Sequence, residues 1–187
     1  MTEPCKWEVS AIRVETERLI LRLISMEDAV ALHEIFGDAE TAELAGFPVS
    51  AAQECSTEMV QRLESRKDTL VLVEKVENHV IGFLSLRNRR LKHEAVTDRK
   101  TGLEIEFVIS RSHWGKGFAG EALQVVCQYC FRELGCDYVY CRRFARNIRC
   151  ERMLNSCGFI HLPDAATECH GADREALCCH IRYREEN

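Results

Sequence analysis

Three of the ten glycines in this chain lie within six residues, between a strand-like segment and a helical one. They are Gly115, Gly117 and Gly120, and the strand-like segment 103–110 alternates apolar and polar side chains. A helix entered through such a turn begins with backbone amides that lack partners, at the positive end of the helix dipole. Because glycine has no side chain, an anion can approach that backbone closely. The spacing therefore predicts an anion site here, with Lys116 adding positive charge at its rim.

Two kinds of nucleotide-binding loop also use glycines in this way, and neither matches fully. The phosphate loop of nucleoside triphosphatases needs Lys followed by Ser or Thr after its glycines, and this stretch has no such pair. The Rossmann spacing Gly-x-Gly-x-x-Gly matches literally, but it requires an acidic residue about 20 positions on, at the end of a second strand. Here the acidic residue is Asp137, which stands at the start of a predicted strand. A tight turn with a structural role is the other interpretation of the glycines.

Strand-like and helix-like segments alternate along the chain, and helices lie between some of the strands but not all of them. This order favours a mixed sheet over a purely parallel one. The length of 187 residues, with no repeat or linker, predicts one domain over residues 1–187. The predicted strands are 18–23, 69–76, 79–88, 103–110, 137–143 and 176–183. The predicted helices are 25–36, 50–66, 121–134 and 147–158, with Ser25 and Ser50 each opening a capping box.

Composition argues against several kinds of partner. Every apolar run is short and interrupted by charge, so no segment is long enough to span a bilayer, and we expect no membrane partner. Positive and negative residues are interspersed at a net charge of −5, which argues against nucleic acid and permits a cationic substrate. The first residues contain no apolar segment of a secretory signal, so we expect a cytoplasmic protein.

The eleven cysteines raise the question of a metal or redox site. Cys127 and Cys130 have the spacing of a metal knuckle, but they fall inside a predicted helix. Cys178, Cys179 and His180 are consecutive in a predicted strand, so neighbours point to opposite faces. We therefore expect no metal and interpret most cysteines as reduced, small, buried apolar residues. A zinc- or redox-responsive protein is the alternative, which metal analysis of the purified chain would expose.

The stretch "HWGKGFAGEAL" resembles the coenzyme A pyrophosphate loop of the GNAT superfamily of acetyltransferases. Trp114, Gly117 and Ala119 occupy its pattern Q/R-x-x-G-x-G/A, and Trp in the first place is usual in the Rim-type branch, which resembles the ribosomal-protein N-terminal acetyltransferases. Four other segments resemble that branch in the right order, namely "ETERLILRLISMEDA", "VIGFLSL", "EIEF" and "NIRCERMLNSCGF". The resemblance covers about residues 15–159.

The resemblance implies a fold, a reaction and a coenzyme site. The fold is a single α/β domain with a mixed, splayed central sheet flanked by helices. The reaction is transfer of acetyl from acetyl-CoA to a primary amine, on a protein N-terminus or a small molecule, by direct attack in a ternary complex. The acetyl-CoA residues implied are Val108, Ile109, Trp114, Gly115, Lys116, Gly117, Phe118, Ala119, Gly120 and Asn147. The alternative is a coenzyme-A-binding sensor or interaction domain that has lost catalysis.

Within this set, the family assigns two kinds of contact. A backbone amide near Val108 or Ile109 polarises the thioester carbonyl, and Asn147 bonds the coenzyme arm. Asn147 is also the predicted N-cap of the helix that follows it.

Three residues are candidates for proton transfer. Glu104 stands where the family's strand motif has its glutamate, and Glu106 points to the same side of the strand. A carboxylate there could take the amine proton directly or through water, whereas the alternative for either residue is exposure to solvent or pairing with an arginine. Many relatives have a Tyr for the leaving thiolate where this chain has Leu154. The Rim-type branch has a Ser where this chain has Cys150, which is either a proton donor or a packing residue.

The sequence leaves the acceptor and the oligomeric state open. The first two predicted helices and the loop 89–101 are expected to wall the acceptor pocket, and they carry mixed charge. A protein N-terminus, a polyamine, an amino acid and a drug all remain acceptors to test. The protein is expected to be a monomer or a homodimer.

Overall fold

The computed structural model describes residues 13–46, 56–89, 91, 93, 96, 100–163 and 177–185. The strands in these ranges are β1 Arg13–Glu15, β2 Leu19–Leu23, β3 Thr69–Glu74, β4 His79–Arg87, β5 Gly102–Ile109, β6 Tyr138–Phe144, β7 Ile160–Leu162 and β8 Leu177–Tyr183. The helices are α1 Ala29–Gly37, α2 Ala39–Leu44, α3 Ser56–Arg66, α4 Phe118–Arg132 and α5 Ile148–Ser156, with short 3₁₀ helices at Met26–Asp28 and Arg111–His113. These strands form one sheet in the order β1-β2-β3-β4-β5-β6-β8-β7.

The sheet is mixed, as predicted, and it splays at its one parallel pair. Among the described strands, β5 and β6 run parallel and all other neighbours are antiparallel. The parallel pairing covers Gly102–Glu104 on β5 and Tyr138–Tyr140 on β6. Both strands continue beyond it, to Ile109 and Phe144, without pairing to each other. The separated strand edges leave backbone groups that can bond a ligand.

The two faces of the sheet pack against different helices. On one face, Ile105 and Ile109 of β5 are buried with residues of α4 and α5. On the other face, Val108 is buried with residues of α1 and α3. Because side chains alternate along a strand, Glu104 and Glu106 lie on the same face as Val108. The two candidate bases therefore lie on the face that carries α1 and α3.

The first helix is confirmed, and a further short helix follows it. Asp28 accepts a hydrogen bond from the Ser25 amide at 2.9 Å, which is the reciprocal bond of the predicted capping box. A second helix, α2, begins directly after Gly37. Asp38 caps it by accepting a hydrogen bond from the Thr41 amide. Helix α2 could not be predicted, because six residues are too few to show helical periodicity.

The other predicted boundaries of helices and strands agree in part with the structure. The predicted hairpin is present as β3 and β4, and the helix predicted over 50–66 ends at Arg66 as expected. Its predicted start at Ser50 lies outside the described residues. Strands β1 and β7 are three residues long and were missed for that reason, since a period of two is not visible in three residues.

Most of the described cysteines are packed as small apolar residues, in agreement with the sequence. Cys127, Cys130 and Cys141 are almost fully buried in the core between the sheet and α4. Burial raises the pKa of the Cys127 thiol to about 12, so the thiol stays protonated and unreactive. In the described part of the chain, no three His, Cys, Asp or Glu side chains are grouped to hold a metal. None of the described helices is both long and apolar enough to cross a membrane.

His180 on β8 is a buried titratable group that makes the fold sensitive to acid. It is fully buried beside His161, with ring centroids 5.2 Å apart. Burial first, and then the charges of Arg143 and His161, lower the pKa of His180 to about 4. In the unfolded chain its pKa is about 6.5. Between these values the unfolded state binds more protons, so stability falls as the pH drops from about 6.5 towards 4.

We predict that His180→Phe flattens this acid limb of the stability curve. From pH 7 to pH 4 the native protein should lose about 3 kcal/mol of unfolding free energy through this group, and the variant should not. Urea unfolding at the two pH values measures the change. The matched control, His79→Phe, removes an exposed histidine of β4 and should leave the pH dependence as it is. An equally steep acid limb in His180→Phe would contradict the prediction.

Candidate active site

A cavity of about 1480 Å³ opens where β5 and β6 separate. The loop before α4, the start of α5 and the last residues of β5 line one part, which we call the coenzyme end. Helices α2 and α3, together with Arg87, Arg89, Glu104 and Glu106, line the other part, which we call the acceptor end. The cavity therefore joins the predicted anion loop to the two candidate bases.

Two glycines in the left-handed conformation shape the loop before α4. Gly115 has a φ of 74°, and Gly117, the N-cap of α4, has a φ of 85°. L side chains rarely adopt such values. Because α4 begins at Phe118, the amides of Phe118, Ala119 and Gly120 have no acceptor within the helix. All three residues line the cavity, so the loop offers the backbone that an anion site requires.

An ion pair from the residue before β2 holds this loop, and sequence reasoning missed it. Arg18 Nη1 donates to the Lys116 carbonyl at 2.9 Å, while Arg18 Nε and Nη2 lie 2.7 and 2.6 Å from Glu121 Oε2. The guanidinium also lies 4.5 Å from the ring centroid of Phe118. Glu121, in the first turn of α4, accepts from the Thr16 hydroxyl as well. We call Arg18 and Glu121 the loop clamp. No spacing in the sequence could indicate it, because its members are about a hundred residues apart.

Trp114 and Lys116 have different places in the loop. Trp114 lines the cavity, and its Nε1 donates to the Ile109 carbonyl at 2.7 Å, which ties the loop to the end of β5. Arg149 of α5 stacks 4.9 Å from the Trp114 ring and lines the same cavity. Lys116 is exposed and lies outside the cavity wall, with its carbonyl held by Arg18. Lys116 can therefore contribute to anion binding through its positive charge at longer range, but not as part of the cavity wall.

Strand alternation decides which backbone groups of β5 face the opening. The Ser110 amide donates to the Ile81 carbonyl of β4 at 2.7 Å, so the peptide groups of Val108, two residues earlier, also turn towards β4. Those of Ile109 turn the other way, towards the space that β6 leaves. Of the two residues expected to supply a backbone donor, Ile109 is therefore the better placed.

The start of α5 brings Asn147 and Cys150 to the cavity. Asn147 is the N-cap, as predicted, and its Oδ1 accepts from the Cys150 amide at 3.0 Å. Burial raises the pKa of the Cys150 thiol to about 12. Leu154 is fully buried in the core, and its side chain has no proton to give.

Arg143 of β6 is a further cavity residue that sequence reasoning did not find. Its side chain is nearly fully buried, and its Nη1 donates to the carbonyls of Phe144 and Ala145 at 3.0 and 2.9 Å. Its Nη2 lies 3.0 Å from Glu151. Its Nε is buried without a hydrogen-bond partner among the described residues. A buried donor without a partner costs free energy, so this atom suits a ligand oxygen.

Glu104 and Glu106 have different surroundings. The Glu104 side chain is 2% exposed, with Oε1 at 2.5 Å from Arg142 Nε and Oε2 at 3.3 Å from Arg89 Nη1. The Glu106 side chain is 37% exposed; its Oε2 accepts from Arg87 Nε at 2.8 Å, and its Oε1 lies 3.6 Å from Arg89 Nη1. The arginine pairing considered as the alternative is thus present at both residues. Glu106 keeps one oxygen outside hydrogen-bond distance of any of these arginines.

The acceptor end has partly different walls from those expected. Helix α1 does not line the cavity, because its inward side chains Leu32, Ile35 and Phe36 are buried in the core. The unpredicted helix α2 takes that place and faces α3. From the loop 89–101, Arg89 is the described residue that reaches the cavity.

A family model described as "Acetyltransferase (GNAT) domain" matches residues 18–160. A curated relative, the uncharacterized N-acetyltransferase p20 of Bacillus licheniformis, is 29% identical over 150 residues, which cover 77% of this chain and 80% of the relative.

Two solved structures share the fold. The ribosomal-protein-S5-alanine acetyltransferase of Vibrio fischeri has a TM-score of 0.69 at 19% identity, covering 92% of this chain and 96% of that one. The spermidine N-acetyltransferase of Vibrio cholerae, in complex with CoA and spermine, has a TM-score of 0.70 at 16% identity, covering 90% and 96%. Both structures support the fold expected from the sequence. Since the family model spans the loop, the split in the sheet and most of the chain, the protein belongs to the GNAT family of acetyltransferases, which use acetyl-CoA.

Proposed function

We propose that this protein transfers the acetyl group of acetyl-CoA to a primary amine by direct attack, with both substrates bound in the same cavity. The observation that carries the proposal is the continuity of this cavity, which has an anion-binding loop at one end and the Glu104–Glu106 strand at the other. Direct attack needs the two reactants in one site, and positioning them lowers the barrier substantially.

The residues at the coenzyme end fit acetyl-CoA. Gly115 and Gly117 leave the loop backbone bare of side chains, and the first amides of α4 point to where a pyrophosphate would be held. Arg149 adds a positive charge beside Trp114. The unpartnered Nε of Arg143 supplies a donor for an amide carbonyl of the coenzyme arm. Acetyl-CoA, when bound, supplies the thioester from which the acetyl group is transferred.

The end of β5 would orient the reacting carbonyl. The Ile109 amide faces the opening, and the bond from Trp114 to the Ile109 carbonyl holds the backbone on the other side of this residue before any ligand arrives. A donor already in position gains electrostatic stabilisation without the cost of reorientation.

Glu106 is the better candidate to accept the amine proton. A base must reach the amine or a water next to it, and Glu106 is the more exposed of the two carboxylates, with its Oε1 at 3.6 Å from Arg89, beyond hydrogen-bond distance. Both oxygens of Glu104 accept from guanidinium groups, and the Glu104 side chain is almost fully buried. We assign Glu104 to the positioning of Arg89 and Arg142.

Cys150 is better suited to packing than to proton donation. Its thiol is protonated at neutral pH, but a pKa of about 12 means that giving up the proton would leave a buried thiolate. Water at the mouth of the cavity can return the proton to the coenzyme thiolate instead.

A coenzyme-A-binding protein without turnover is the second candidate. It is favoured by Leu154 and Cys150, neither of which is a good proton donor for the leaving thiolate. Release of free thiol from acetyl-CoA in the presence of amines separates the two functions.

We predict that Gly117→Val abolishes coenzyme A binding, because the variant strains the loop backbone and places a side chain 3.3 Å from Arg18 Nη2. Gly135→Val is the matched control, since Gly135 also has a positive φ, of 66°, but lies after α4, away from the cavity. Both should lose about 1–2 kcal/mol of stability. Isothermal titration should detect binding in the control alone. Native affinity in a folded Gly117→Val protein would refute the loop assignment.

We predict that Glu106→Gln lowers kcat by about 100-fold and leaves acetyl-CoA affinity unchanged, because a base acts on the amine. Glu104→Gln should instead lower the melting temperature, since it removes the carboxylate partner of the half-buried Arg142. Steady-state kinetics and thermal melts of both variants provide the test. A fully active Glu106→Gln beside a folded, inactive Glu104→Gln would move the base to Glu104.

We predict that Cys150→Ala keeps the single-turnover rate at saturating acetyl-CoA within about threefold of native, far from the 100-fold loss expected for a missing acid. Cys150→Ser serves as the comparison, because it restores a small protic side chain. A large loss in the alanine variant that the serine variant repairs would establish the thiol as the proton donor.

A further inference from the structure

Seven side chains of alternating charge form a continuous series across the acceptor end, from α3 to β6. In order they are Arg66, Asp68, Arg87, Glu106, Arg89, Glu104 and Arg142, with successive charged atoms 2.7, 3.5, 2.8, 3.6, 3.3 and 2.5 Å apart. We call it the ion-pair chain. An arginine stands at each end, so the seven side chains carry one more positive than negative formal charge.

Arg89, in the middle of the ion-pair chain, has hydrogen-bond donors that its two carboxylate neighbours do not use. Its side chain is 56% exposed and lines the cavity, and it meets both Glu104 and Glu106 through the single atom Nη1. Its Nε and Nη2 make no hydrogen bond or ion pair with the described residues. Two parallel donors on a guanidinium match the two oxygens of a carboxylate.

Arg62 adds a second such group on the opposite wall. It is exposed on α3, it lines the cavity, and it forms no ion pair within the described ranges. Its neighbour Arg66, one helical turn on, is held by Asp68 at 2.7 Å. Arg62 is therefore not needed to balance that acid and faces the cavity as an additional positive charge.

The acidic residues of α2 do not offset this charge. Glu40 lies 2.9 Å from Arg111 Nη2, and Glu43 lies 3.0 Å from Arg146 Nη2. Each acid that lines the acceptor end thus already holds an arginine. A polyamine would have to compete with these arginines for every carboxylate, whereas an anionic group would meet Arg89 and Arg62 directly.

We propose that the acceptor is a small amine that also carries a carboxylate, which Arg89 binds with Arg62 contributing from the facing wall, and whose amine lies towards Glu106. This rests on the acetyl transfer proposed above and names its substrate class. The whole chain has a net charge of −5, so the preference comes from the local arrangement of arginines and not from overall charge.

The test compares matched amines on the full chain loaded with coenzyme A. The probes are a series of amino acids, each with its carboxamide and its decarboxylated amine, together with spermidine and a hexapeptide amide that has a free N-terminus. Isothermal titration gives affinity, and thiol release from acetyl-CoA gives turnover. Hydrogen bonds to a charged carboxylate predict about 10- to 100-fold tighter binding of an amino acid than of its carboxamide.

Two variants and one control locate the effect. Arg62→Gln and Arg89→Lys should each lower the ratio of amino-acid affinity to carboxamide affinity by about tenfold. Arg62→Gln removes a positive charge, and Arg89→Lys removes the planar guanidinium that can bind both carboxylate oxygens. Arg132→Gln, an exposed arginine of α4 outside the cavity, should leave the ratio at its native value.

The outcomes separate this inference from acetyl transfer itself. Tighter binding of amino acids without thiol release would keep the acceptor class and overturn the proposed catalysis. Thiol release that is fastest with spermidine or the hexapeptide, or amino acids that bind no better than their carboxamides, would keep acetyl transfer and overturn the acceptor class. An unchanged ratio in both arginine variants, or no binding of any amino acid, would also overturn it.

Discussion

The site depends on the point at which β5 and β6 stop pairing. Their last paired residues are Glu104 and Tyr140, and Arg142 lies two residues further along β6. The ion pair between Glu104 and Arg142 therefore begins where the backbone hydrogen bonds end. It links the two strands just beyond their last paired residues. The opening, the exposed edge of β5 and the cavity all follow from that separation.

A carboxylate as deeply buried as Glu104 is costly unless its charge is compensated, and both its oxygens are bound by guanidinium groups. Arg89 also approaches Glu106, and Arg87 joins Glu106 to Asp68, so each charge inside the series is stabilised by a neighbour on either side. Such a network is rigid, because each inner side chain is bound by two others, and moving it would leave both of them unpaired. The proposed recognition of the acceptor would thus use side chains that also support the structure.

The sequence predicted features that are formed by residues close together in the chain, and it missed contacts between residues that are far apart in it. The glycine loop was readable because its strand, turn and helix are contiguous and glycine spacing reports backbone shape directly. The Asn147 cap was readable for the same reason. Arg18 and Arg143 were not, because an arginine in a strand has no local signature, and its partner is fixed by the fold. Helix α2 was missed because its six residues cannot show a period.

The loop clamp has a consequence for how the protein reaches its active form. The bonds from Thr16 and Arg18 to Glu121 join residues separated by 105 and 103 positions in the chain. Contacts of such high sequence separation form late, because the closure entropy of the intervening chain must first be overcome. The loop acquires its final shape when the N-terminal strands dock onto a sheet whose other parts are more local. Leu19 and Leu21 of β2 are themselves buried in the core beside α4. A chain whose β2 has not docked would therefore lack both a complete core and the final loop, which makes coenzyme binding a property of the completed fold.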